Sequence, residues 1–372
     1  MRKFIKNSII FIGFLIGRKS NKKVFVSMLS KQKNTGPGRF LDNLNTYLKK
    51  SNYKTLSRNP FLYGDVILIV SNIHIFMYKI FKLFKVRTVL RVDGFSYPEL
   101  YTNKNYEGSY RRNRNFSMSR IETNFEIQLG LKFADHIIYQ SLFSKFMADK
   151  YLYNRVKDFS IIYNGVDIEA FKPDGHKVQK KFVMSIHGNM RDTDILNCSL
   201  KLFEMLFLSE SFKFYKSINL MIIGTMTTDV KKLYENMCRN SAIISQHSSL
   251  YGPVNKIELA KLLPLSDLSI HLMSGDACPN AVLESMACGV PVLCQSFGGQ
   301  AELAGEAGIV VESKGEFDYS EDLIKSCYDS VLLNSNGFNS LKFKARKRAE
   351  DYFSLEAMGS KYSDVLNQKN IK

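Results

Sequence analysis

Short apolar runs alternate with helix-forming stretches along nearly all of the 372 residues, and this rhythm limits the chain to layered α/β folds. In the first half the runs are 23–29, Val66–Val70, 88–91, His136–Tyr139 and 160–163. Each is apolar on both faces, as a parallel strand covered on both sides must be. Helical patterns fill the gaps at 39–49, 73–84 and 120–133. The second half repeats the rhythm, with strands expected at 182–186, 220–224, 242–245, 268–272 and 292–294. Polar residues, Pro173 and Gly175 gather at 165–181 and mark a break. The expectation is two doubly wound, Rossmann-like domains with a ligand where the carboxyl ends of both sheets face one another. There is no internal repeat and no low-complexity tract.

Charge separates the halves. Residues 1–175 carry 30 Lys+Arg against 13 Asp+Glu, whereas residues 176–372 carry 22 of each, so the whole net charge of +17 sits in the first half. A polyanionic partner is implied for that half: a membrane surface, a pyrophosphate-linked lipid or a nucleic acid. The six cysteines (Cys198, Cys238, Cys278, Cys288, Cys294 and Cys327) form no C-x-x-C pair, which argues against a zinc site or a disulfide framework and fits a reducing compartment. At the amino end, the apolar run 9–17 is too short to span a bilayer, and Arg18, Lys19, Lys22 and Lys23 stand where a signal peptide would be cleaved. Three readings of residues 1–23 stay open: a helix in the interface of an anionic leaflet, a core element of the first domain, or a defective signal.

The densest chemistry lies in residues 274–302, which read SGDACPNAVLESMACGVPVLCQSFGGQAE. Pro279 suits the start of a helix, because its missing N–H would be unpaired there. Gly289 suits the stop, and Pro291 opens the strand PVLC. Asp276 then lies in the loop before the helix, and Glu284 lies about one turn inside it. Helical side chains lean toward the amino terminus, so both carboxylates face the helix mouth, where N–H groups favour an anion. An anion seat beside two hydroxyl-binding carboxylates suits a nucleotide sugar.

In these positions the segment resembles the signature of the retaining glycosyltransferases of family 4, which have the two-domain GT-B fold. That signature is two Glu separated by seven residues, then Ala-Met-Ala-x-Gly-x-Pro-Val and a Gly-Gly pair. Pro279 and Asn280, the run from Met286 to Gly289, Pro291-Val292 and Gly298-Gly299 fall in register. Asp276 replaces the first Glu and is one methylene shorter. The resemblance extends more weakly to Asn164-Gly165-Val166-Asp167, like the family's junction between domains, and to Thr35-Gly36-Pro37-Gly38-Arg39, like the Gly-rich loop facing the donor phosphates. It also reaches Gly188-Asn189-Met190-Arg191, where a Gly approaches the donor and an Arg holds the diphosphate; the family's following Lys is absent, since Asp192, Thr193 and Asp194 come next and Lys201 is the next basic residue. No His stands at Leu90-Arg91-Val92-Asp93-Gly94, so Arg91 or Asp93 is expected to line the sugar site, unless this is a plain Asp-Gly turn. Arg111, Arg112, Arg114 and Arg120, interleaved with Tyr106, Tyr110 and Phe116, read as an acceptor or membrane loop, a solvated surface, or a nucleic-acid contact.

The resemblance implies a GT-B architecture with a segment 1–23, domains 24–170 and 178–352, and a final helix within 353–372 that returns to the first domain. It implies sugar transfer from a nucleotide sugar to a glycan or lipid-linked glycan, with retention, in cell-surface polysaccharide synthesis at the inner face of the membrane. Asp276, Glu284 and Asp93 are the expected catalytic residues. Gly36, Gly38, Arg39, Gly188, Asn189, Arg191, Pro279, Asn280, Gly298 and Gly299 are the expected donor contacts. No Asp-x-Asp motif is read as a metal site, so no metal or other cofactor is expected. The partners expected are donor, acceptor and an anionic membrane surface, and not nucleic acid. Competing readings are a nucleotide-sugar-binding homologue without catalysis and a basic nucleic-acid-binding protein.

Overall fold

The computed structural model describes residues 18–19, 24–26, 36–50, 62–63, 65–70, 73–95, 118–174, 181–314 and 318–368. The expectations for residues 1–17 and 20–23, and for the loop bearing Arg111, Arg112 and Arg114, lie outside these residues. The chain forms two compact units. It passes from the first to the second between Gly165 and Val166 and re-enters the first at Leu355.

The first unit holds a five-stranded parallel sheet in the order β1-β2-β3-β4-β5, with β1 Val24–Val26, β2 Val66–Val70, β3 Arg87–Arg91, β4 His136–Tyr139 and β5 Phe159–Ile161. Every residue of β2, β3 and β4 is buried, as parallel strands covered on both faces are, and in β3 this includes Arg87, Thr88 and Arg91. Helices α1 (Gly36–Lys50), α2 (Ile75–Leu83), α3 (Met118–Phe133) and α4 (Leu142–Tyr151) accompany them. Strands β2 to β5 are neighbours in chain order, so the right-handed crossovers through α2, α3 and α4 place these helices on one face. There Met77, Phe81, Ile127, Leu131 and Ala148 pack on Ile67, Ile69, Leu90 and Ile137. The opposite face receives α1 and the last helix, Leu355–Asn367. A Cβ at Gly359 would fall 2.1 Å from the Tyr47 ring, and Arg87 Nη1 donates to Val365 O at 2.5 Å, so the last helix is seated closely on this unit.

The second unit holds a six-stranded parallel sheet in the order β8-β7-β6-β9-β10-β11. The strands are β6 Lys181–Met190, β7 Ser217–Met226, β8 Ser248–Gly252, β9 Leu268–His271, β10 Val292–Gln295 and β11 Ile309–Val311. The helices between them are α5 Thr193–Leu208, α6 Thr228–Asn240, α7 Ala242–His247, α8 Lys256–Leu262, α9 Asn280–Ala287, α10 Gly299–Ala304, α11 Glu321–Leu333 and α12 Phe338–Phe353, and the last helix of the chain is α13. Side-chain caps set several starts. Asp192 accepts from Asp194 N–H at α5, and Asn255 and Glu258 form a reciprocal capping box at α8.

Three local expectations are corrected. Residues 242–245 are helical and not a strand, because Ser241 Oγ accepts from Ile244 N–H and caps α7; a four-residue apolar run carries no period that separates the two states. Gly36 to Arg39 form the first turn of α1 and not a loop ahead of it. Strands β6 and β7 each run for ten residues, beyond the expected 182–186 and 220–224, so Gly188 and Asn189 lie within β6.

Candidate functional site

The carboxyl ends of β6 and β9, the loop after β9 and the turn after β10 converge on the amino end of α9. Pro279 occupies the N-cap position with φ −68° and ψ 120°, and its own ring supplies no cap to the helix. The helix stops where Gly289 adopts φ +69°, a conformation that glycine takes without strain. Arg346 fixes the far end, donating from Nη1 to Ala287 O at 2.7 Å and to Phe171 O at 2.9 Å, a cation at the negative end of the helix.

Asp276 and Glu284 both border this mouth. The half-buried Asp276 accepts from Cys278 N–H through Oδ1 at 3.2 Å. Its loop rests on the turn after β10 through two backbone bonds: Gly275 N–H to Phe297 O at 2.9 Å and Gly299 N–H to Asp276 O at 2.7 Å. A Cβ at Gly299 would lie 2.0 Å from Ala277 O. Gly299 is thus a glycine because the two loops touch, and its N–H serves Asp276. Gly298, at φ +147°, makes the sharp turn before it. Beneath the turn the fully buried Gln300 donates to Phe297 O at 2.9 Å and to Gln295 O at 3.2 Å.

Glu284, one turn into α9, has a side chain 12% exposed, and its Oε2 stands 3.6 Å from Nε2 of the buried His187 near the end of β6. That His Nε2 has no hydrogen-bond partner among the described residues. The thiol of Cys288 is pushed up to about 12 by burial first and by the Glu284 charge second, against the pull of Arg346. Next to His187, Gly188 has φ +122° and pairs in register with Gly224 at φ +134°, where a Cβ would sit 1.9 Å from Gly188 O. A Cβ at Gly188 itself would meet nothing within 4 Å, so its backbone borders open space. Asn189 Oδ1 accepts from Thr225 Oγ1 at 2.6 Å. Arg191 follows one residue beyond β6 and is exposed.

Of the remaining expected residues, Gly36, Gly38, Arg39 and Asp93 belong to the first unit. There Asp93 is buried and ion-paired with Arg91, which also donates to Asn164 Oδ1 at 2.9 Å and stacks over Phe40 at 4.0 Å. Gln140 adds a bond to Asp93 Oδ1 at 3.4 Å. Lys201 is ion-paired with Glu321 on α11. The sequence carries one Asp-x-Asp spacing, Asp192-Thr193-Asp194. Asp192 is spent there on the α5 cap, and burial raises the Asp194 carboxyl. Among the described residues no group of three or more His, Cys, Asp or Glu is placed to hold a metal ion. His187 and Gln300 are the residues the sequence did not single out. Their only signal was position, next to Gly188 and next to the Gly298-Gly299 turn.

Residues 198–328 match the family model described as Glycosyl transferases group 1. A 96-residue stretch is 33% identical to flavonol 3-O-glucosyltransferase of Arabidopsis thaliana, over 25% of this chain, and the chain spans 20% of that protein's length. The structure of HepE from Anabaena with UDP and glucose aligns over 94% of this chain and 100% of that one, at a TM-score of 0.63 and 13% identity. WaaG, a glycosyltransferase involved in lipopolysaccharide biosynthesis, aligns over 93% and 100%, at 0.62 and 13%. At these identities the likeness is one of fold: two parallel-sheet α/β domains, as in GT-B glycosyltransferases. The family match lies within the second unit, on residues 198–328.

Proposed function

We propose that the protein transfers a sugar from a nucleotide sugar to a glycan or lipid-linked glycan with retention of anomeric configuration, in the synthesis of a cell-surface polysaccharide. One observation carries the reading. Two carboxylates, Asp276 and Glu284, flank a helix start whose N-cap residue Pro279 supplies no side-chain cap, and the loop bearing the first is pinned to the Gly298-Gly299 turn. In this reading the first turn of α9 seats the donor's phosphate or sugar. Glu284 accepts from the ribose hydroxyls, and Asp276 accepts from hydroxyls of the transferred sugar. Arg191 offsets charge on the leaving diphosphate, where negative charge grows in the transition state. UDP-linked donors are the first to try, because HepE of Anabaena binds UDP. No obligatory metal enters the proposal, and the acceptor is placed at an anionic membrane surface, in keeping with the charge of the first half.

A second reading, donor binding without transfer, draws on the missing diphosphate Lys and on the engagement of Lys201 with Glu321. One experiment separates them. The protein is incubated with a panel of nucleotide sugars and membrane lipid extract, and products are read by mass spectrometry. A glycosylated product supports transfer. Saturable donor binding with neither product nor donor hydrolysis supports the second reading, and no donor binding overturns both.

A further inference from the structure

The helices α2, α3 and α4 cover one face of the first sheet, and their outward side is not that of an ordinary solvated layer. Leu83 is 78% exposed, Phe125 58% and Phe146 60%, one from each helix. Between residues 73 and 86 the chain carries Lys79, Lys82 and Lys85, all exposed, and no acid. On α4 the acid Asp149 is ion-paired with Lys145, so it does little to offset this charge. On α3 the acids Glu122 and Glu126 are set against Lys132, so the three lysines at 79–85 keep the face net positive, and large exposed apolar side chains on three helices add apolar contact.

We propose that this outer face docks the protein on an anionic bilayer, with Leu83, Phe125 and Phe146 entering the boundary of the acyl region and Lys79, Lys82 and Lys85 reaching the headgroups. The proposal rests on the membrane-side acceptor argued above, but its test reads partition and not transfer. Charge selects the occupant. A second copy of the chain related by a two-fold axis would set the same lysines against one another. A nucleic acid would meet the lysines and leave the aliphatic side chains unused. No helix among the described residues is long and apolar enough to cross a membrane, so attachment through this face is peripheral.

The chain contains no tryptophan, so a single introduced indole reports on one place. Full-length Phe125→Trp and Phe146→Trp are titrated with vesicles of phosphatidylglycerol and phosphatidylcholine, and with phosphatidylcholine alone. Phe343→Trp, at an exposed position of the second unit, is the control. The expected result is a blue shift and quenching by brominated lipid for the first two, on anionic vesicles only, with the control unchanged. Reversing Lys79, Lys82 and Lys85 to Glu should weaken partition roughly a hundredfold, at about tenfold or less for each lysine lost near an anionic surface. All the substituted side chains are exposed, and circular dichroism verifies that the helices persist. Four results would overturn the proposal. One is vesicle binding with no change in emission at Phe125→Trp and Phe146→Trp. Another is binding that survives the lysine reversal but is lost on removal of residues 1–20. A third is a solution dimer that a Phe146→Ser change dissociates, and the last is tight binding of an oligonucleotide with none to vesicles.

Discussion

Replacing Gly299 with Ala should loosen the Asp276 loop more than any other one-atom change at the site. The added Cβ would lie 2.0 Å from Ala277 O, 2.7 Å from Ala277 C and 3.2 Å from Asp276 O. All three are backbone atoms, so no rotamer change relieves the clash, and the two loops must separate by about an ångström or more. Overpacking of this kind costs roughly 1–3 kcal/mol. The Gly299 N–H to Asp276 O bond, 2.7 Å long, is stretched or lost as well, for about 0.5–1.5 kcal/mol. Together these predict a thermal midpoint lower by roughly 3–18 °C, using about 2–4 °C per kcal/mol for a unit of this size. Because Asp276 moves with its loop, turnover should fall by up to about a hundredfold, the loss that an ångström of misplacement brings. Gly337→Ala is the control, since nothing lies within 4 Å of its Cβ position. Differential scanning calorimetry and a donor titration read both effects. If Gly299→Ala matched wild type in stability and turnover, the idea that loop contact fixes Asp276 would be wrong.

Other expected outcomes follow from the same geometry. Glu284→Ala should lower transfer roughly ten- to a hundredfold in a folded protein, the loss of one charge-assisted hydrogen bond of about 1.5–3 kcal/mol, read by initial rates. His187→Ala should raise the donor KM by about fivefold with a smaller change in kcat, because it removes the group 3.6 Å from Glu284 and not a donor contact; an unchanged KM would detach His187 from the site. His136, held down to about 4 by burial first and the Arg87 charge second, stays neutral in the folded protein while the unfolded chain takes up a proton below about 6.5. Stability should therefore fall between about pH 6.5 and pH 4, by on the order of 1–3 kcal/mol, and denaturant melts of His136→Gln should show a flatter dependence. The thiols of Cys198, Cys288 and Cys327, pushed up to about 12 mainly by burial, should resist alkylation at pH 8 in the native protein and react only after unfolding, as counted by intact mass.

What the sequence made readable was punctuation. Pro279 and Gly289 bracket α9 because each has one backbone property that the helix start or stop requires, and such properties are local. Continuous apolar runs likewise marked β2 and β4 at their observed bounds. What stayed hidden depends on partners distant in the chain. His187 meets Glu284 because β6 and β9 are neighbours in the sheet, a pairing that no spacing in the chain encodes. The extension of β6 through Gly188 needs Gly224 opposite it on β7, since a side chain at Gly224 would strike the Gly188 carbonyl. In the sequence Asp192 is notable only for following Arg191 where the family's Lys is absent, and its role as the α5 cap emerges only when the helix start is fixed. Asp93, expected to line the sugar site or to sit in a plain turn, lies buried against Arg91, the last residue of β3, and Gln140, just after β4.

The central claim is that the α9 mouth, flanked by Asp276 and Glu284, is where a nucleotide sugar reacts. The most direct measurement is proton NMR of the product formed from a UDP-sugar panel and membrane lipid extract, run in parallel with wild type and Glu284→Ala. The account predicts a new glycosidic linkage with the donor's anomeric configuration in the wild-type reaction, and its near loss in the variant while donor-independent folding is unchanged. A product of inverted configuration, or transfer undiminished in a folded Glu284→Ala protein, would contradict it.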